Sequence, residues 1–331
     1  MTKKICTLLI VLVLTIGLGC SSSAAELSSP ASLLLEEEVI APAPVIVVFP
    51  DSNLDAVIRE AIGKPKGAIY TTDLEGLVIL NASRKGIVDL TGIKHCTDLR
   101  SVNLNWNLIS NLTSLAELPG GIVQPTDEDG KELASFTSLW IGLAGNLVDD
   151  ISPLAALDGI DELYLMLNFN QVGDLSSLVG LTNLIGLYLC ENEISDISSL
   201  ANLTRLSVLD LWGNEIEDLS PLQNLVSLSC LNLDSNKIKD ISSLSGLVGL
   251  DSVYLGRNQV SSLSSLKDLV GIEILNLTKN EIEDVSPLVS LVKLKSLDLS
   301  YNQIVDASVL DCFDSSVDIK LEGNPCSIGD G

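Results

Sequence analysis

The chain has 331 residues, with 19 Lys and Arg against 44 Asp and Glu, and a formal net charge of −25. Hydrophobic residues make up 46% and aromatics only 4%, so the apolar content is almost wholly aliphatic and ample for a folded core despite the charge. This excess of acid excludes nucleic acid as a partner and charge-driven docking on anionic lipid, both of which need clustered Lys and Arg. A single His and seven Cys leave little material for metal or nucleophile chemistry.

In chain order, the first element is MTKKICTLLIVLVLTIGLGC. Lys3 and Lys4 precede an apolar stretch from Leu8 to Leu18, shorter than the roughly 20 residues a spanning helix needs, and this reads as a secretory signal over residues 1–19. The run Gly19-Cys20-Ser21-Ser22-Ser23 resembles a bacterial lipoprotein lipobox, although Gly17 stands where Leu is usual. That resemblance implies that Cys20 is acylated and becomes the mature N-terminus, giving a membrane anchor without a spanning helix. The alternative is ordinary cleavage near Ser22–Ala25, with Cys20 discarded. Residues 20–44, rich in Ser, Ala and Pro, read as a flexible tether.

Residues 45–79 read as a cap. Val45–Phe49 is a short β-type run, and Asp51-Ser52-Asn53 is suited to cap a helix in LDAVIREAIG. Leu54, Val57, Ile58, Ala61 and Ile62 share one helical face, and Gly63 and Pro65 stop the helix. A turn in TTDLEGLVIL then leads into the first repeat strand. The cap is expected to seal Leu80, Ala82 and Ile87.

Residues 80–324 are governed by a period of 22. Asn192, Asn214, Asn236, Asn258, Asn280, Asn302 and Asn324 fall at that spacing. Counting back gives Asn170, with Asn168 in competition because Leu163–Asn170 looks swollen by two residues. Asn146, Asn107 and, in the same slot, Lys85 come before it. The gap of 39 from Asn107 to Asn146 places an insertion near 119–135, and eleven coils result. The pattern L-x-x-L-x-L-x-x-N-x-I matches the leucine-rich repeat, and its continuation D-I-S-P/S-L-x-x-L resembles the bacterial internalin type. The resemblance implies an α/β solenoid. Its fold class would be a right-handed horseshoe with a parallel β-sheet on the concave face, short 3-10 or helical turns on the convex face, and a helical N-terminal cap.

Each slot has a physical task. Leu187 and Leu189 point inward from a strand of period two, and eleven stacked strands make a sheet of roughly 50 Å. Asn192 satisfies backbone groups of neighbouring coils, and Ile194, Leu200 and Leu203 fill the core. Asp196, with Asp218, Asp240, Asp284 and Asp306 in register, sits where a helical turn needs an N-cap; Ser262 and Asn111 substitute in theirs. Pro153, Pro221 and Pro287 fall in the first turn, where a missing N–H costs least.

Concave positions lie two, four and six residues before each Asn. Tyr164, Tyr188, Asp210 and Tyr254 occupy the four-before lane, Trp212 and Asp234 the two-before lane, and Trp140 the six-before lane of a coil that looks one residue short. Five of the twelve aromatics therefore land on one face where the repeat does not demand them. Trp140, Tyr164, Tyr188, Asp210, Trp212, Asp234 and Tyr254 form the candidate partner-binding set, because Tyr and Trp beside Asp have the chemistry of interface anchors. His95 is lone and structural, and the insertion's Asp127-Glu128-Asp129 reads as a solvated tip. Cys312 and Cys326 could bridge in an exported chain, the alternative being two small buried residues.

The resulting expectation is an exported scaffold, anchored through Cys20 or otherwise secreted, that binds a protein ligand on its concave face. A carbohydrate- or peptidoglycan-binding module is the alternative, since the same rings would stack on sugars. No cofactor or metal and no enzymatic role is expected; residues 325–331 read as a tail.

Overall fold

The computed structural model describes residues 43–118 and 138–328. The signal segment with Cys20, the tether to residue 42 and the insertion at 119–135 lie outside the described residues.

The cap begins with β1 (Ile46–Val47), which pairs antiparallel with β2 (Ile69–Tyr70); α1 (Ser52–Ala61) lies between them in the chain. Leu54, Val57 and Ile58 form the buried face of α1 at helical spacing. Ala61, expected on that face, is exposed, because the helix ends there and Gly63 turns the chain away at φ +66°. The Asp51 carboxylate does two jobs. Oδ1 accepts the N–H groups of Asn53 and Leu54, at 2.8 and 3.1 Å, and so caps α1. Oδ2 accepts those of Val88 and Asp89 in the first coil, at 2.7 and 3.1 Å. One side chain thus ties the cap helix to the solenoid, over the fully buried Ala82 and Ile87.

The coils carry β3 (Ile79–Asn81), β4 (Ser101–Asn103), β5 (Ser138–Gly142), β6 (Glu162–Met166), β7 (Leu184–Tyr188), β8 (Val208–Asp210), β9 (Cys230–Asn232), β10 (Ser252–Tyr254), β11 (Ile274–Asn276), β12 (Ser296–Asp298) and β13 (Asp318–Lys320). They form one eleven-stranded sheet in chain order, with neighbouring strands parallel. In the three-residue strands β4 and β8 to β12 the central residue is buried, as Leu209 is in β8, and the residues on either side face out; in β5 and β6 the outward central positions are Trp140 and Tyr164. Behind the sheet run short 3-10 turns such as Ser198–Leu200 and Ser220–Leu222, with Leu200 and Leu222 fully buried. One continuous core of Leu, Ile and Val joins sheet to turns along the whole stack.

The Asn slot closes the backbone bonding between coils. Asn236 accepts from the Ile216 N–H of the preceding coil at 3.0 Å and donates to the carbonyls of Leu211 and Leu233 at 3.0 and 3.1 Å. The same pattern repeats from Asn107 to Asn324. In the disputed coil Asn170 holds the slot, donating to Leu143 and Leu167. Asn168 instead accepts from the Cys190 N–H. The swelling therefore does not lie within Tyr164–Asn170. It precedes Tyr164, where β6 starts early at Glu162 and its register against β7 shifts between Leu163 and Tyr164.

The Asp slot acts from one residue further back than an N-cap. Ile197 is the capping position of the turn Ser198–Leu200, and Asp196 reaches past it to accept the Ser198 N–H at 2.8 Å. Asp150, Asp174, Asp218, Asp240, Asp284 and Asp306 do the same in their coils. Pro153, Pro221 and Pro287 open their turns as the sequence predicts. Cys312 and Cys326 are free thiols in this structure, Cys312 exposed and Cys326 partly buried, so neither the possible bridge nor a pair of buried residues is formed.

Candidate functional site

The chain must turn sharply out of each strand before the ladder Asn can reach its carbonyls. The residue just before the Asn slot, which Lys85 fills in the first coil, therefore takes a left-handed conformation in every described coil. These residues are Arg84, Trp106, Gly145, Phe169, Glu191, Gly213, Ser235, Arg257, Lys279, Tyr301 and Gly323, with φ between +52° and +74°. Only three are Gly, although a bulky side chain in this region carries strain of about 1 kcal/mol or more. In return the turn projects its side chain beside the outward lanes of the sheet. Trp106 is 48% exposed and Phe169 is 42% exposed.

Small residues let these rings meet. A Cβ on Gly145 would lie 2.3 Å from Trp106 Cε3, so the indole occupies the space above that glycine. From there it stacks on Phe169 of the following coil, with centroids 5.7 Å apart and planes at 30°. Phe169 meets Trp212 edge-on at 6.4 Å and 78°. The Arg84 guanidinium lies 5.9 Å from the Trp106 ring centre and closes the row at its N-terminal end.

A second group forms along the six-before lane. Trp140 pairs in register with Ser101 and Tyr164, which places it six before Asn146, so its coil is not a residue short there. Tyr164 also sits six before its Asn, not four. This is a correction that follows from the Asn170 assignment. The two rings stack at 4.3 Å and 13°. Gly186 leaves room beside them, since a Cβ there would come within 2.8 Å of Tyr164 Cδ1 and 3.3 Å of Tyr188 Cε2. Tyr188, four before Asn192 and opposite Met166 and Asp210, thus joins the pair. The structure brings Trp140, Tyr164 and Tyr188 together and places Trp212 with Trp106 and Phe169. Tyr254 lies on β10 between Asn232 and Asn276.

Asp210 and Asp234 border the aromatic surface beside Trp212, the first in its own coil and the second in the next. Asp210 is half-buried two residues before Trp212 and accepts its N–H at 3.2 Å. Asp234 is next to Trp212 in the two-before lane, and the Gly213 N–H donates to its carbonyl. Its carboxylate reaches over Gly256, accepting that residue's N–H at 2.5 Å and the Asn276 amide at 2.9 Å. A Cβ on Gly256 would fall 3.1 Å from this carboxylate. Burial pushes the Asp210 carboxyl up to about 6, against the Trp212 N–H and the Asn232 amide. Burial likewise pushes Asp234 up to about 6. The Gly256 and Asn276 donors and the Arg257 charge oppose that rise, and Asp210 adds to it. Among the described residues neither carboxylate forms an ion pair.

Sequence reasoning missed Trp106 and Phe169, because counting alternate strand positions stops before the turn. The signal lay in the slot before each Asn, where a ring at 106 is followed by Gly145 and a ring at 301 by Gly323. Among the described residues no group of His, Cys, Asp or Glu could hold a metal.

A parallel solenoid with an asparagine ladder, a leucine core and 3-10 turns behind the sheet is a leucine-rich repeat protein. Family profiles agree. "Leucine Rich repeats (2 copies)" matches residues 182–224 and 271–312, and "Leucine rich repeat" matches 205–260. No curated protein sequence matches significantly. Among solved structures, internalin C2 of Listeria monocytogenes is 36% identical, with 71% of this chain and 97% of that one covered and a TM-score of 0.62. Another internalin of Listeria monocytogenes (inlF) is 29% identical over 86% of each chain, with a TM-score of 0.67. The Arabidopsis receptor kinase HAESA, solved with the peptide hormone IDA, is 22% identical with a TM-score of 0.55. The match covers 70% of this chain and 39% of that one, and shares the fold alone. The chain belongs to the internalin family of leucine-rich repeat proteins.

Proposed function

We propose that the chain is a recognition scaffold that binds a protein ligand on its concave face, through Trp140, Tyr164, Tyr188 and Trp212 together with Trp106 and Phe169. The observation that carries this reading is the row of partly exposed rings packed over Gly145 and Gly186. Trp106 and Phe169 each hold a strained backbone conformation that glycine adopts freely, and no core packing calls for a ring there. Rigid aromatic surface of this kind supplies contact area at low entropic cost, as interface anchors do. HAESA receives a peptide on the same fold, which supports the reading at the level of architecture.

The test is affinity capture from surface extracts. The full chain would be immobilised beside a variant carrying Trp140→Ala, Tyr164→Ala, Tyr188→Ala and Trp212→Ala, with equal folding checked by circular dichroism. A protein held by the first and lost by the second is the expected result. Equal retention by both would end the concave-face reading.

The scaffold is further proposed to be exported and held at a membrane through Cys20. The sequence MTKKICTLLIVLVLTIGLGC supports this, and no helix among the described residues is long and apolar enough to cross a membrane. Cys20→Ser should move the protein from the membrane fraction to the soluble one. An unchanged distribution would exclude the anchor.

A further inference from the structure

We infer that the ligand presents a basic segment to the concave face, with an Arg or Lys side chain seated against Trp212 beside the carboxylates of Asp210 and Asp234. The inference rests on the protein-binding reading above and adds the chemistry of the partner.

Three observations carry it. First, Asp210 ends β8 two residues before Trp212 and accepts its N–H, and Asp234, two residues past the end of β9, lies beside Trp212 in the same lane of the next coil. Second, among the described residues neither carboxylate has an ion-pair partner, and the only cation that Asp234 feels is Arg257 of the next coil. Their hydrogen bonds come from neutral donors: the backbone of Trp212 and Gly256 and the amides of Asn232 and Asn276. These donors fix the carboxylates in place without cancelling their charge, which leaves a preorganised pair of anions. Third, Trp212 turns its indole N–H to the Ser235 hydroxyl at 3.3 Å and meets Phe169 edge-on, so the ring is held by both neighbours. A cation above a tryptophan face gains from the ring and from flanking carboxylates together. The arrangement already has an internal counterpart, since Arg84 lies over Trp106 at the other end of the row.

The charge of the whole chain acts in the same direction. At −25 it repels an acidic ligand and draws a basic one to the face. A neutral glycan would use the rings but gain nothing from the two carboxylates, so it is an outcome of the test rather than the occupant proposed.

The probes are an Arg-Gly repeat peptide and a Glu-Gly repeat peptide, titrated into the full chain at physiological ionic strength with tryptophan fluorescence as the readout. The key variant is Asp210→Asn with Asp234→Asn, near-isosteric changes that keep an acceptor for the Trp212 and Gly256 N–H groups. The control is Asp218→Asn with Asp240→Asn, which removes the same charge from the 3-10 side of the coil. The Arg-Gly peptide should bind the wild type. It should weaken by about tenfold or more in the concave variant and by no more than about twofold in the control. Equal weakening in the two variants, or equal binding of the Glu-Gly peptide, would overturn the inference. The partner captured on the wild type gives the second arm. Loss from the four-residue aromatic variant and from the concave Asn variant supports both proposals. Loss from the aromatic variant with full retention by the concave Asn variant overturns this inference and leaves the protein-binding reading standing. Retention by the aromatic variant overturns the protein-binding reading itself.

Discussion

Asn236 shows how much a single repeat residue carries. Its amide serves one N–H and two carbonyls in a buried seam between coils, where each group left unpaired costs about 1–3 kcal/mol. Asn236→Ala should therefore destabilise the protein by about 2–4 kcal/mol in urea unfolding. A loss below about 0.5 kcal/mol would mean that water satisfies the seam. Asp210 and Asp234 work in the opposite direction. Their carboxyls are raised from 3.8 to about 6, so the folded protein binds more protons than the unfolded chain between those values. Their effect on stability is thus unfavourable as pH rises from about 4 to 6 and constant above that. At pH 7.5 Asp210→Asn or Asp234→Asn should raise Tm, by roughly 2–4 °C per kcal/mol of relieved burial cost, and the gain should vanish near pH 4. A lower Tm at pH 7.5 would show that the native state favours the charged form. The ladder was legible at this scale because Asn recurs at one spacing. The lane of Tyr164 was not, because the extra residues precede β6, and a count from either Asn168 or Asn170 fits the letters equally well. Asp210 and Asp234 were visible as outward residues. The lack of an ion-pair partner among the described residues was not, since for Asp234 it depends on Gly256 letting the carboxylate reach Asn276.

Among the elements, α1 was readable from the spacing of Leu54, Val57 and Ile58 and from the acid in front of them. The letters did not show that the capping acid also grips the first coil, because Val88 and Asp89 lie 37 and 38 residues away. Burial opposes ionisation of Asp51, but the N–H groups of Val88, Leu54, Asp89 and Asn53 together outweigh it and hold the carboxyl below 3.8. Its stabilising contribution is complete above that pH and is lost as pH falls below it. Asp51→Ala removes the cap and the clamp together and should cost about 1–3 kcal/mol. Amide exchange should speed up in α1, β3 and β4 while β10 to β12 stay protected, because each coil contacts mainly its neighbours. Uniform acceleration along the stack would show instead that the solenoid unfolds as one cooperative unit. The turns behind the sheet were predicted at the right places with the wrong reach: Asp196 lies one residue outside the cap, and Asx-turn geometry rather than helix propensity fixes the Ser198 N–H.

At the scale of the molecule, period and fold are one statement. A repeat that cannot bury its leucines alone must stack, and parallel stacking puts every outward side chain of eleven strands on one surface. Sequence alone led that far and located Trp140, Tyr188 and Trp212 on the surface. It did not find Trp106 and Phe169, because their position depends on a left-handed turn that strand periodicity does not encode. Those two rings turn a scatter of aromatics into a continuous row from Arg84 to Trp212, which is where the ligand is proposed to bind. Hydroxyl-radical footprinting of the full chain, with and without the captured partner, tests this most directly. Protection of Trp106, Phe169, Trp140, Tyr164 and Trp212 is expected, with the exposed Val226, Val248, Val270 and Val292 unchanged. Protection of the valines with the rings left open would place the interface elsewhere and contradict the proposal.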